Sequence, residues 1–174
     1  MQFLHWGATS QDFMDTGLAL RLRPMLTLWE GRLVALLARL ADLAEAHASL
    51  PMTARTYGQA ATPTSFGAVV ASWGWPVLDR QDQFAHLREN LLKVSLSGAA
   101  GTLSAMGKDG PAVRASLATE LVLTDPGHSW HSDRSGPGQL AAFAAGLAGS
   151  LGKLGEDVIL LCQSGIAEVT LGGA

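Results

Sequence analysis

The chain has 174 residues and a formal net charge of −3 at pH 7, with 48% hydrophobic and 16% charged residues. It has no basic run, so it lacks the cationic footprint that nucleic-acid binding needs. Its single cysteine, Cys162, excludes an internal disulfide, reads as a small core hydrophobe and points to a reducing, cytoplasmic compartment. No apolar run reaches the roughly 18 residues of a membrane span. So much apolar surface on so few charges implies burial against further copies or further segments.

The first polar word is His5-Trp6-Gly7-Ala8-Thr9-Ser10-Gln11-Asp12. Thr9 and Asp12 fit a capping box, so a helix start is expected there. Leu22, Leu26, Trp29, Leu33, Leu36, Leu40 and Leu43 then repeat in steps of four and three. That spacing predicts a long amphipathic helix over residues 12–47, about 50 Å at 1.5 Å per residue. Pro24 lies inside it and is expected to kink or restart it.

The second polar word covers residues 55–67, from Arg55-Thr56-Tyr57-Gly58-Gln59 to Thr62-Pro63-Thr64-Ser65-Phe66-Gly67. Thr62 as N-cap with Pro63 at the first helical position predicts a loop opening into a helix. Arg, Thr, Tyr and Gln together make a donor-rich set suited to a carboxylate. Phe66, Val70, Trp73, Val77, Phe84, Leu87 and Leu91 form the next seam, with Pro76 as its expected break. β-branched residues are too scattered to suggest strands.

Gly98-Ala99-Ala100-Gly101-Thr102 lacks the Lys-Ser/Thr ending of a phosphate loop. A short helix is expected from Pro111 to about Leu123. The third polar word is His128-Ser129-Trp130-His131-Ser132-Asp133-Arg134-Ser135. Its His-x-x-His spacing has no convincing third ligand, so no metal is expected. His131 and Arg134 are the functional candidates, His128 a surface residue, and Ser135 the cap of the last helix. That helix carries Phe143, Leu147, Leu151, Leu154, Val158 and Leu161 on one seam. His47 and His86 fall in helical contexts without a partner set. The expected fold is all-α: a bundle of long, nearly antiparallel helices forming one partial helical domain over residues 1–174.

The three polar words, in this order, resemble the signatures of the fumarase/aspartase lyase superfamily. His5 to Asp12, followed by Asp15-Thr16, resembles the first signature, and Arg55 to Gly67 the second. Gly98 to Thr102 and Trp130-His131-Ser132-x-Arg134 resemble segments of its cycloisomerase branch, which acts on 3-carboxy-cis,cis-muconate. The resemblance implies a homotetramer, no cofactor and a small polycarboxylate substrate interconverted between that diene and a carboxylated muconolactone. It implies catalytic roles for His5, Tyr57 and His131, and substrate binding by Trp6, Thr9, Ser10, Gln11, Arg55, Thr56, Gln59 and Arg134. Oriented donors at helix N-termini would stabilise the aci-carboxylate that forms when a proton is gained or lost beside a carboxylate.

The resemblance is imperfect at two positions. Tyr57 stands where eliminating lyases carry His and cycloisomerases commonly Trp, and a phenol is a poor base at neutral pH. Ser135 stands where the cycloisomerases have Asp, which puts an ion pair with Arg134 in question. The family's third signature, a flexible loop with a catalytic serine, would begin where the sequence reaches Gly172-Gly173-Ala174. Both ends therefore read as cut, and the isolated chain is expected to be inactive. The alternatives are a lyase resembling adenylosuccinate lyase and a helical assembly remnant without chemistry.

Overall fold

A computed structural model describes residues 4–172. The expected all-α bundle is present, with one small two-stranded sheet added. The elements run α1 (Ser10–Ala46), β1 (Pro51–Thr56), β2 (Gln59–Ser65), α2 (Phe66–Gln81), α3 (Gln83–Leu91), a 3-10 helix (Ser104–Asp109), α4 (Gly110–Leu121) and α5 (Ser135–Leu161). The chain divides into two compact units. The first holds residues 4–30 and 83–141, the second residues 31–82 and 142–172. α1 and α5 each contribute to both.

α1 begins where the capping box places it. The Thr9 N–H donates to Asp12 Oδ2 at 3.0 Å, the returning half of the box. The helix runs unbroken through Pro24, against expectation. Pro24 lies on an exposed face of the helix. Pro76 likewise sits on an exposed face within α2, and the helical break comes instead at Asp82.

In the first unit, Leu22 and Leu26 of α1 and Phe84, Leu87 and Leu91 of α3 are buried, as their spacing predicts. Buried extended chain follows α3, pairing Lys93 with Thr124 in an isolated bridge. α4 starts one residue earlier than expected, with Pro111 in its first turn, and ends on Val122 in the left-handed region at φ 52°.

In the second unit, Leu40, Val70, Trp73 and Leu161 form a buried cluster, flanked by Leu36, Phe66, Leu154 and Val158. The Trp73 ring meets Phe66 edge-on, and its Nε1 donates to Asp157 at 2.7 Å. One member of each of two seams, Leu43 and Leu151, is exposed, at 37% and 38%.

The second polar word is not a loop leading into a helix. It is a β-hairpin, β1 paired antiparallel with β2, with Thr56 opposite Gln59 and a register shift between Thr53 and Arg55. Tyr57 and Gly58 form the two-residue turn, with φ of 51° and 72°. Two positive φ values give the mirror-image turn whose twist suits a hairpin. Thr62 and Pro63 lie inside β2, so neither starts a helix. A two-stranded sheet has only edges, where proline is tolerated. Ser65 is the true cap of α2, its Oγ accepting from the Ala68 N–H at 3.1 Å.

Candidate active site

The first and third polar words converge in the first unit. Asp12, only 2% exposed, is the point where they meet. Its Oδ1 accepts from Ser95 Oγ at 3.1 Å, the Ser97 N–H at 3.0 Å and His131 Nε2 at 2.6 Å. Its Oδ2 accepts from the Thr9 and Gly98 N–H groups, both at 3.0 Å. Burial pushes the Asp12 carboxyl up, but the His131 bond and the backbone bonds from Thr9, Gly98 and Ser97 outweigh it, holding the pKa below its ordinary value. Asp12 is therefore an ionised acceptor with its lone pairs spent inside the protein.

Asp15, one turn further along α1, receives the Arg134 fork at 2.8 and 2.9 Å. Burial again raises its pKa, and hydrogen bonds from Arg134 and Gln11 with the Arg134 charge bring it below the ordinary value. The guanidinium also donates to the His131 carbonyl and lies 5.6 Å from the Trp130 ring centroid. Trp130 Nε1 in turn donates to the Val94 carbonyl at 3.0 Å. Asp133 accepts from the Ser135 N–H at 2.9 Å at the start of α5.

Ser135 offers Arg134 no carboxylate, and Arg134 has its ion pair with Asp15 on α1 instead. Its fork is already filled by Asp15, and the geometry makes it a brace for the 128–135 loop. The Asp12/Asp15 spacing matches the His131/Arg134 spacing, three residues in each case. That matched pair of spacings was the available signal for these two buried acids. Ser95, Ser97 and Gly98 carried no comparable signal.

The turn before α1 is fixed by close packing. A Cβ on Gly7 (φ 69°) would come within 2.8 Å of Met106, and one on Gly98 (φ 72°) within 2.8 Å of the Gly7 carbonyl. Trp6 Nε1 donates to the Ala105 carbonyl at 3.2 Å, and His5 stacks on Phe13 with ring centroids 4.6 Å apart. A cleft of about 560 Å³ opens beside them, lined by His5, Trp6, Phe13, Leu96 and Met106, with Asp12 and Thr16 on its wall. Ser10, at the first turn of α1, is exposed.

Arg55, Thr56, Tyr57 and Gln59 stand in the second unit. Arg55 forms a two-point ion pair with Glu168, at 2.6 and 3.0 Å. The Glu168 bond raises the Arg55 pKa, and the Arg55 bond lowers that of Glu168. Thr56, Tyr57 and Gln59 are exposed, Tyr57 completely. A second cleft, about 510 Å³, is lined by Met52, Arg55, Thr64, Ser72, Lys153 and Asp157.

Long helices carrying clusters of oriented donors near their N-termini define a helical enzyme scaffold, and comparison with known proteins agrees. A family model described as Lyase matches residues 1–172, and the chain belongs to that family, the fumarase/aspartase lyases. The chain is 43% identical to 3-carboxy-cis,cis-muconate cycloisomerase from Pseudomonas aeruginosa, over 97% of its own length and 37% of that protein's. It is 33% identical to N-acetyl-S-(2-succino)cysteine lyase from Dickeya dadantii, over 97% of this chain and 37% of that one. The crystal structure of 3-carboxy-cis,cis-muconate lactonizing enzyme from Pseudomonas putida superposes with a TM-score of 0.93 at 39% identity, covering 95% of this chain and 38% of that one. The chain thus spans little more than a third of the length of these relatives.

Proposed function

We propose that this chain is part of an enzyme that interconverts 3-carboxy-cis,cis-muconate and a carboxylated muconolactone. The observation that carries this reading is the match to cycloisomerases in both sequence and structure over nearly the whole chain. The chemistry of the first unit suits it. The N-terminal end of α1, with the Thr9 and Ser10 hydroxyls, offers donors to one substrate carboxylate, while the Gln11 amide is engaged with Asp15. His5 and Trp6 border the cleft beside it. Thr56, Tyr57 and Gln59, solvent-facing on the hairpin, supply further donors. Arg134 and Arg55 act as braces through Asp15 and Glu168, leaving the grip to hydroxyls, amides and helix ends. The working form is a cytoplasmic homotetramer that uses no cofactor.

A second reading, elimination from a succinyl-substituted substrate, is favoured by the likeness to the Dickeya dadantii lyase. Tyr57 counts against it, because a phenol is poorly suited to act as the base. An ultraviolet assay of the whole purified enzyme that contains this chain decides between them. Loss of the diene absorbance of 3-carboxy-cis,cis-muconate, without turnover of N-acetyl-S-(2-succino)cysteine, is the expected result. The reverse pattern would replace the first reading with the second.

A further inference from the structure

His131 meets Asp12 through one particular ring nitrogen, and that choice has chemical content. Nε2 lies 2.6 Å from Asp12 Oδ1, and an ionised carboxylate can only accept. The hydrogen between them therefore belongs to Nε2. The same oxygen is held from two other sides by Ser95 Oγ and the Ser97 N–H, and the second oxygen by Thr9 and Gly98. Four donors besides the imidazole thus fix the plane of the carboxylate. It cannot turn to follow a rotated ring without leaving buried donors unpaired. Arg134 holds the carbonyl of His131 itself, which restrains the ring from its backbone end. Among the described residues nothing hydrogen-bonds to Nδ1, and the side chain keeps 18% of its surface exposed.

We propose that Asp12 is a positioning residue that locks His131 in the tautomer bearing hydrogen on Nε2, leaving Nδ1 as a lone-pair acceptor for the site. A neutral imidazole has one donor and one acceptor, so spending the donor on Asp12 decides what the other nitrogen can do. A lone pair repels a carboxylate and accepts a hydrogen bond. His131 then orients a hydrogen-bond donor in the reacting complex and is not one of the carboxylate grips. That use rests on the proposed cycloisomerase reading, whereas the tautomer does not.

Two measurements test it. Nitrogen-15 spectra of the histidine-labelled protein, taken at several pH values, read the tautomer directly. Nε2 of His131 is expected to carry the hydrogen, with Nδ1 at a pyridine-type shift. A ring with hydrogen on Nδ1 throughout overturns the proposal. The second measurement uses His131→Gln in the whole enzyme that contains this chain; its amide nitrogen can still reach Asp12 from the Nε2 position but offers no Nδ1. It should keep the wild-type melting temperature while kcat falls at least about tenfold and KM stays within about threefold. Wild-type turnover by His131→Gln overturns the use of Nδ1. If the whole wild-type enzyme leaves the diene untouched, the cycloisomerase reading falls, and the spectra alone decide the tautomer.

Discussion

The two polar regions of this protein solve opposite problems. Around Asp12 and Asp15, charge is buried, and apart from Thr9 and Gln11 the partners come from distant parts of the chain. On the β1–β2 hairpin, charge stays at the surface, and the donors of Thr56, Tyr57 and Gln59 face solvent. A buried carboxylate with five donors is costly to disturb, because each donor would be stranded in a dry interior. An exposed Arg55–Glu168 pair is screened by water and contributes far less. The first region is a buried, cross-braced polar network, and the second is a set of donors open to solvent.

Substitutions can break or sharpen this contrast. The largest effect is expected for Asp12→Ala, which strands the His131 donor and three backbone N–H groups. Urea denaturation should show a loss of about 3–5 kcal/mol, in the range found when one member of a buried pair is removed. A loss below about 1 kcal/mol would mean that water replaces the carboxylate without difficulty.

Acid should act through the same region. The Asp12 and Asp15 pKa values are both depressed by folding. Their stabilisation is therefore complete above the unfolded carboxylate value of about 3.9 and is lost as pH falls through the lower folded values. Asp15→Asn should be less stable than wild type at neutral pH yet lose less on acidification, which midpoints measured down this pH range would reveal. Parallel pH curves for the two proteins would remove Asp15 from the account.

The smallest effect is a gain. Tyr57 holds a left-handed backbone that side chains disfavour, followed by Gly58. Tyr57→Asn creates the Asn-Gly pair that this turn prefers and should stabilise by up to about 1 kcal/mol in the same denaturation assay. A destabilised variant would show that the tyrosine ring packs in a way its complete exposure conceals.

The helical seams were legible because period is a local property. Val70, Trp73, Val77, Phe84, Leu87 and Leu91 announce their burial by spacing alone. The hairpin was missed because Thr62-Pro63 is as good a helix opening as it is an edge-strand pair. The turn, Tyr-Gly, also lacks the Asn or Asp that usually marks such a connection. The prolines misled for a related reason: proline breaks a helix most surely where its carbonyl partner is buried, and sequence does not tell which face a residue occupies. At the site, His131 and Arg134 could be picked out by type and Asp12 by its cap pattern. What sequence could not supply was that these are one constellation, because the bonds joining them span 83 to 119 residues.

That span has a consequence for how the chain folds. The first turn of α1 can form early from its own capping box, but the Asp12 cluster closes only after the chain from Ser95 to His131 has been delivered to it. Long loops must be ordered before such contacts contribute, so the cluster is expected to form on the late, native side of the folding barrier, which φ-values at Asp12 near zero would bear out. Interactions made after the barrier govern how fast a protein comes apart more than how fast it assembles. On that expectation, the residues that shape the candidate active site also serve as a latch on the lifetime of the folded state.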